Sequence, residues 1–167
     1  MNEEKFLKDI PFLRDLGEED LQQILKIVRR VRFPAGKTIL QEGEIGQTMY
    51  MVEEGEVEIS KRLVMTPGLE ERKNRDKILT KLSAQDHAVF GEVALFEEGK
   101  RTATVTAVTE CVLLEIAKAD FLKLAEENPR LGYRVTRNIT RMLCARLRKA
   151  DEDTIKLTTA LSIALRR

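Results

Sequence analysis

Arg101 comes nine positions after Glu92 in the segment Phe90-Gly91-Glu92-Val93-Ala94-Leu95-Phe96-Glu97-Glu98-Gly99-Lys100-Arg101-Thr102-Ala103-Thr104. Arg101 is a permanent cation whose planar fork of donors suits a phosphate. Gly91 lets the backbone come close to a ligand, and Val93-Ala94-Leu95 fits one short helical turn. The amides that open such a turn lack partners within it and favour an anion. Glu92, a carboxylate beside that cluster, repels phosphate and accepts hydrogen bonds, which suits a sugar hydroxyl. An anion site beside a hydroxyl acceptor describes a nucleotide with one phosphate and a ribose.

Other chemistries are poorly supplied. The chain has 167 residues, 43% apolar and 34% charged, with 29 Lys+Arg against 28 Asp+Glu, the balance of a soluble globular domain. Net charge gives no reason to expect an acidic partner. Apolar runs are far shorter than the ~20 residues a membrane helix needs. The acidic, mixed start MNEEKFLKDI is unlike a signal peptide. Cys111 and Cys144 lack metal-site spacing, and His87 is the single histidine, so no metal is expected and the setting reads as reduced and cytoplasmic. A His-dependent mechanism would have to run through His87, which reads as a loop residue. With no Trp and two Tyr, a platform for stacking nucleic-acid bases is thin. The sequence favours a binding module over an enzyme.

The elements that position the segment follow from periodicity. Residues 3–9 and 18–30 read as helices, the second because Leu21, Ile24, Leu25 and Val28 recur at i, i+3, i+4 and i+7. Between Val31 and Ile116 the apolar runs shorten and glycines punctuate them. Strands are expected at 38–41, 49–52, 56–60, 77–82, 102–108 and 111–116. Many short strands without intervening helices point to a sandwich or barrel. Residues 61–76, with Pro67-Gly68 and dense mixed charge, read as an exposed hairpin loop. Phe90 and Phe96 read as core. A helix follows from Lys118, and Asn128-Pro129 stops it and opens another, with Asn128 as N-cap and Pro129 in the first position. That helix runs to Lys149 or beyond. Whether 151–167 continues it or forms a new helix stays open.

The segment around Glu92 and Arg101 resembles the phosphate-binding cassette of the cyclic nucleotide-binding domain. The pattern is Phe-Gly-Glu-x-Ala-Leu, then Arg followed by a small or hydroxyl residue, Ala and Thr/Ser, and every position is matched. Phe33-Pro34-Ala35-Gly36, Glu42-Gly43-Glu44-Ile45-Gly46 and Tyr50-Met51-Val52-Glu53-Glu54-Gly55-Glu56-Val57 resemble the turns and central hairpin of that family. Ile10-Pro11-Phe12-Leu13 before Gly17-Glu18-Glu19-Asp20-Leu21 resembles the segment ahead of its roll. One departure is the run 82–89, which lacks the usual glycine and is about two residues longer than the family's pattern.

The resemblance implies an α+β fold, an antiparallel β-roll of jelly-roll type flanked by N-terminal helices and long C-terminal helices. It divides the chain into a helical segment (1–30), the roll (31–117) and C-terminal lid or dimerisation helices (118–167). The implied ligand is cyclic AMP or cyclic GMP, held by Gly91, Glu92, Val93, Ala94, Arg101, Thr102 and Ala103. Glu92 takes the ribose 2′-hydroxyl, and the Ala94 amide and Arg101 take the phosphate. Thr102 either contacts the base or simply suits a strand. Leu79, Thr80 and Arg146 are candidates for the base pocket. The implied output is a repositioned C-terminal helix, a homodimer through that helix and an effector protein.

Between Pro129 and Lys149 the basic residues Arg130, Arg134, Arg137, Arg141, Arg146, Arg148 and Lys149 meet no acidic one. A truncated or atypical nucleic-acid-binding regulator is the alternative, yet residues 151–167 are too few for a helix-turn-helix domain. A roll that keeps the fold without the ligand, as an interaction scaffold, is a further alternative. A cupin-type enzyme would need several metal-binding histidines.

Overall fold

A computed structural model describes residues 3–62 and 76–165. Most of the expected loop 61–76 lies outside them. All paired strands among the described residues run antiparallel. One sheet joins β1 (Val28–Phe33), β8 (Cys111–Ala117), β3 (Thr48–Glu54) and β6 (Val89–Phe90), in the order β1-β8-β3-β6. The other joins β2 (Thr38–Leu40), β7 (Thr104–Ala107), β4 (Glu56–Arg62) and β5 (Asp76–Ser83), in the order β2-β7-β4-β5.

Side chains alternate across a strand, so β3 and β8 feed two cores. Tyr50, Val52, Cys111 and Leu113 point between the sheets, where they meet Val57, Phe90, Val105 and Ala107. Met49, Met51, Leu114 and Ile116 point the other way, to the helices α1 (Glu3–Asp9), α2 (Glu18–Leu25), α3 (Lys118–Glu127) and α4 (Pro129–Leu165). The first sheet is therefore covered on both faces, which explains the near-continuous burial of β3 and β8.

The structure corrects the second helix. It ends at Leu25 instead of Arg30, and Val28–Phe33 pairs along β8 from Val28↔Ile116 to Phe33↔Cys111. Val28 falls on the helical stripe, but a full ladder with β8 outweighs one more helical turn. The two-residue β6 was too short to show periodicity. Phe96 is a second correction: it is 42% exposed, with its ring set edge-on to Phe121, whereas Phe90 is buried.

Helix α4 starts as the sequence predicts. Asn128 Oδ1 accepts the Leu131 amide at 3.1 Å, capping a helix whose first residue is Pro129. It then continues without a break to Leu165, which resolves the question over the last segment. At 1.5 Å per residue it is about 55 Å long. Only its first part is packed: Leu131, Val135 and Ile139 are buried, while Leu147, Leu157 and Leu161 are exposed. Arg134 and Arg137 tie that first part to Asp20 and Asp15 at 2.9 and 2.5 Å. No helix of the described residues is long and apolar enough to cross a membrane.

Candidate functional site

Gly91 begins the site. It holds φ +76°, a left-handed conformation open chiefly to glycine, and so ends β6 and launches the 3-10 turn Glu92–Leu95. A Cβ at Gly91 would also stand 2.9 Å from Arg101 Nη1. The turn buries Glu92, Ala94 and Leu95. Its first ring is closed by the Ala94 amide, which donates to Gly91 O at 3.2 Å. The expected anion donor is thus engaged within its own turn. The amides of Glu92 and Val93, two and one positions earlier, precede that ring and have no acceptor in the turn.

Arg101 reaches across to the turn from the far side of the cassette. Its Nη2 donates to Thr48 O at 2.7 Å and to Thr48 Oγ1 at 3.0 Å, and its Nη1 donates to Gly91 O at 3.3 Å. Of five guanidinium N–H groups, these three bonds leave two unengaged among the described residues. The Thr48 hydroxyl passes the chain on, donating to Tyr50 Oη at 3.3 Å, and Tyr50 donates to Glu115 Oε2 at 2.7 Å. Burial pushes the Arg101 guanidinium down from its ordinary value, against the opposing pull of Tyr50, Glu44 and Glu92. Burial also pushes the Tyr50 phenol up. Gly46 completes the seat: a Cβ there would lie 2.9 Å from Ala94 Cβ and 3.0 Å from the Arg101 guanidinium carbon.

These elements enclose a cavity of about 270 Å³ between the turn, the cassette and β2, β4 and β7. Gly91, Glu92, Val93, Ala94, Arg101, Thr102 and Ala103 all line it, with Leu40, Ile59, Phe90 and Val105 as an apolar wall. One buried carboxylate, the guanidinium groups of Arg101 and Arg146 and an apolar side in a small cavity match the needs of a polar ligand with a flat ring. Among the described residues no cluster of side chains suits a metal ion.

The three expected base-pocket residues divide. Arg146 lines the cavity, but at the Glu92 end: Nη1 donates to Glu92 Oε1 at 2.6 Å and Nη2 to Val89 O at 2.7 Å. Leu79 and Thr80 do not line it. Both are exposed on β5, where the register shifts: Ile59 pairs with Thr80 and Ser60 with Ile78, leaving Leu79 as the extra residue of a bulge. Thr48 and Gly46 were missed by the sequence reading. The Gly46 turn carried a glycine signal, whereas Thr48 had none. In the lengthened run before the cassette, His87 holds φ +47°, so the left-handed residue there is a histidine.

Residues 30–128 match the family model described as the cyclic nucleotide-binding domain. The chain belongs to that family. Among relatives of this cyclic nucleotide-binding domain, the cyclic AMP receptor protein of Thermus thermophilus is 32% identical over 145 residues, which is 87% of this chain and 61% of the relative. The chain thus spans less than two thirds of that relative's length. Among solved structures, the N-terminal domain of a transcriptional regulator from Streptomyces coelicolor aligns with a TM-score of 0.70 at 28% identity, covering 89% of this chain and 94% of that one. The regulatory domain of Toxoplasma gondii PKA, crystallised with cAMP, aligns with a TM-score of 0.60 at 26% identity over 72% of this chain and 42% of that one.

Proposed function

We propose that this domain is a sensor that binds cyclic AMP or cyclic GMP in the 270 Å³ cavity and transmits occupancy through α4. The carrying observation is the placement of Glu92 and Arg101 on one small cavity, with Arg146 of α4 bonded to the same Glu92. Arg101 takes the cyclic phosphate with its two remaining N–H groups, helped by the free amides at the head of the Glu92–Leu95 turn. The 2′-hydroxyl donates to Glu92, whose second oxygen is left open by the single Arg146 contact. Gly91, Val93, Ala94 and Ala103 shape the walls, and Thr102 stands where the choice of base is made.

The output follows from the same carboxylate. Because Glu92 binds both ligand and α4, a bound nucleotide changes what holds Arg146. A ligand can drive α4 only through its different affinities for the two helix positions, typically about 1–3 kcal/mol of coupling. The exposed Leu147, Leu157 and Leu161 recur along one side of α4 and suit a second copy. A homodimer through α4 would then signal to an effector protein. A nucleic-acid role draws less support, since Arg134 and Arg137 are already paired with Asp20 and Asp15.

Calorimetric titration with each nucleotide, beside an Arg101→Ala variant, tests the binding. Saturable heat that collapses in the variant is expected, and no heat with either nucleotide overturns the reading. Hydrogen exchange along residues 129–165 tests the switch, which falls if saturation leaves exchange unchanged.

A further inference from the structure

A second recess lies on the other side of Arg146. Once Arg134, Arg137 and Asn138 have stapled α4 to the 12–20 segment, the helix runs on past Pro11 and Arg14 with nothing between them. The result is an open groove of about 610 Å³. Its floor is apolar, from Pro11, Met142 and Ala145, and its rim carries Arg14, Arg141, Arg146 and Lys149.

Three of the four cations on that rim, Arg14, Arg141 and Lys149, have no ion-pair partner among the described residues. Asp15 is the groove's carboxylate, and it is consumed: Oδ2 takes Arg137 at 2.5 Å and Oδ1 takes Asn138 Nδ2 at 2.5 Å. Arg146 is engaged by Glu92. Arg14 donates only to the Asp9 carbonyl, at 3.1 Å, and Arg141 and Lys149 have no hydrogen bond or ion pair among the described residues. Arg141 and Lys149 lie two turns apart on one face of α4, about 12 Å along the axis, with the small Ala145 between them. Widely spaced cations flanking a shallow apolar floor match an extended chain that carries several carboxylates better than one compact anion.

We propose that this groove is the docking site for an acidic peptide segment of a partner protein, and that Arg146 links it to the nucleotide cavity. The proposal supplies the partner chemistry for the sensor reading above and rests on that reading only for its regulation. Arg146 lines both recesses. Any ligand that loosens its hold on Glu92 returns a fourth cation to the groove rim, and any acidic occupant that draws on it alters the nucleotide cavity. The coupling is reciprocal by linkage. A second copy paired along Leu147, Leu157 and Leu161 does not cover the groove. At ~100° per residue, that stripe is turned about 160° from Arg141, Ala145 and Lys149.

The test uses the full chain, a synthetic hexaglutamate peptide and a hexaglutamine control, with and without saturating cyclic AMP. Saturable hexaglutamate binding is expected, with none for hexaglutamine. The double variant Arg141→Glu, Lys149→Glu should weaken it by about tenfold or more while leaving cyclic nucleotide affinity unchanged. Cyclic AMP should shift peptide affinity by about fivefold or more. Absence of peptide binding at low salt, binding that survives the double variant, or equal capture of a short DNA duplex each overturns the acidic-peptide site. If the peptide binds and the variant abolishes it while cyclic AMP and cyclic GMP give no heat, the groove stands and the sensor reading falls. If nucleotide binds and the peptide does not, the groove alone falls.

Discussion

Arg146 Nη1 donates to Glu92 Oε1 at 2.6 Å, joining positions 54 residues apart across the boundary between α4 and the roll. The Glu92 side chain is 5% exposed and that of Arg146 45% exposed, so the pair lies at the edge of the cavity. Removing the arginine strands a buried carboxylate, although water reaches part of the contact. Arg146→Ala is expected to cost about 1 kcal/mol, read as a lower denaturant midpoint. Exchange along residues 140–149 should rise. Adding Glu92→Gln should restore part of the loss, and strictly additive effects would show that the pair is not coupled.

Arg101 supplies both charge and geometry. Arg101→Ala should lower cyclic nucleotide affinity by about a hundredfold, and Arg101→Lys by about tenfold, because lysine keeps the charge and loses the fork. Calorimetry measures both. Equal losses in the two variants would show that Arg101 acts by shape alone.

The seat of Arg101 leaves no room for a methyl group at Gly46, where a Cβ would stand 2.9 Å from Ala94 Cβ. Gly46→Ala should push the guanidinium off Thr48 and weaken nucleotide binding by about tenfold. The fold should survive, since one of the crowded neighbours is the end of a long side chain. Unchanged affinity in a folded Gly46→Ala protein would refute this account of the seat.

Tyr50 sets an alkaline limit. Its phenol is pushed up from the ordinary 10.0, first by burial. Above the ordinary value the unfolded chain loses this proton while the native state keeps it, so stability falls as pH rises toward the folded value. Below the ordinary value that contribution is fully present. Denaturant midpoints should fall through this window, and Tyr50→Phe should flatten the fall. An unchanged slope in Tyr50→Phe would assign the loss to other groups.

The stripe on α4 carries the dimer proposal. Leu157→Asp with Leu161→Asp should convert a dimer to a monomer in sedimentation velocity, while nucleotide affinity of the full chain stays within about threefold, since both residues lie far beyond the packed part of the helix. A wild-type monomer at high concentration would remove the dimer.

What the sequence made legible divides by range of interaction. The residues lining the cavity from Gly91 to Ala103 sit in one short segment, where the spacing of Glu92 and Arg101 and the resemblance to the phosphate-binding cassette both point. The Asn128 cap and the first turn of α4 were equally local. Tertiary pairing decided the rest. Val28 matched a helical stripe, yet its strand is specified by β8, more than eighty residues away in the chain. Leu79 matched a strand facing the cavity, and a one-residue bulge opposite Ile59 and Ser60 turned that expectation aside. Arg146 entered the reading as a base contact, because position along α4 reveals which turn meets the roll but not which atom it meets. Thr48 gave no signal at all, since its role is to accept a hydrogen bond from a residue 53 positions later.

Helix α4 is anchored along its first turns and unsupported beyond them, which gives it mechanical advantage. From Arg146 to Leu165 it runs about 28 Å. A tilt of about 10° at the Arg146 contact therefore carries the far end through about 5 Å, on the scale of one helical turn. If a ligand hydroxyl meets Glu92 as proposed, a sub-ångström change there would need no relay through the roll to be felt at the tip. In the proposed sensor, the rigid rod itself would turn a local exchange of hydrogen bonds into a displacement that another molecule could read.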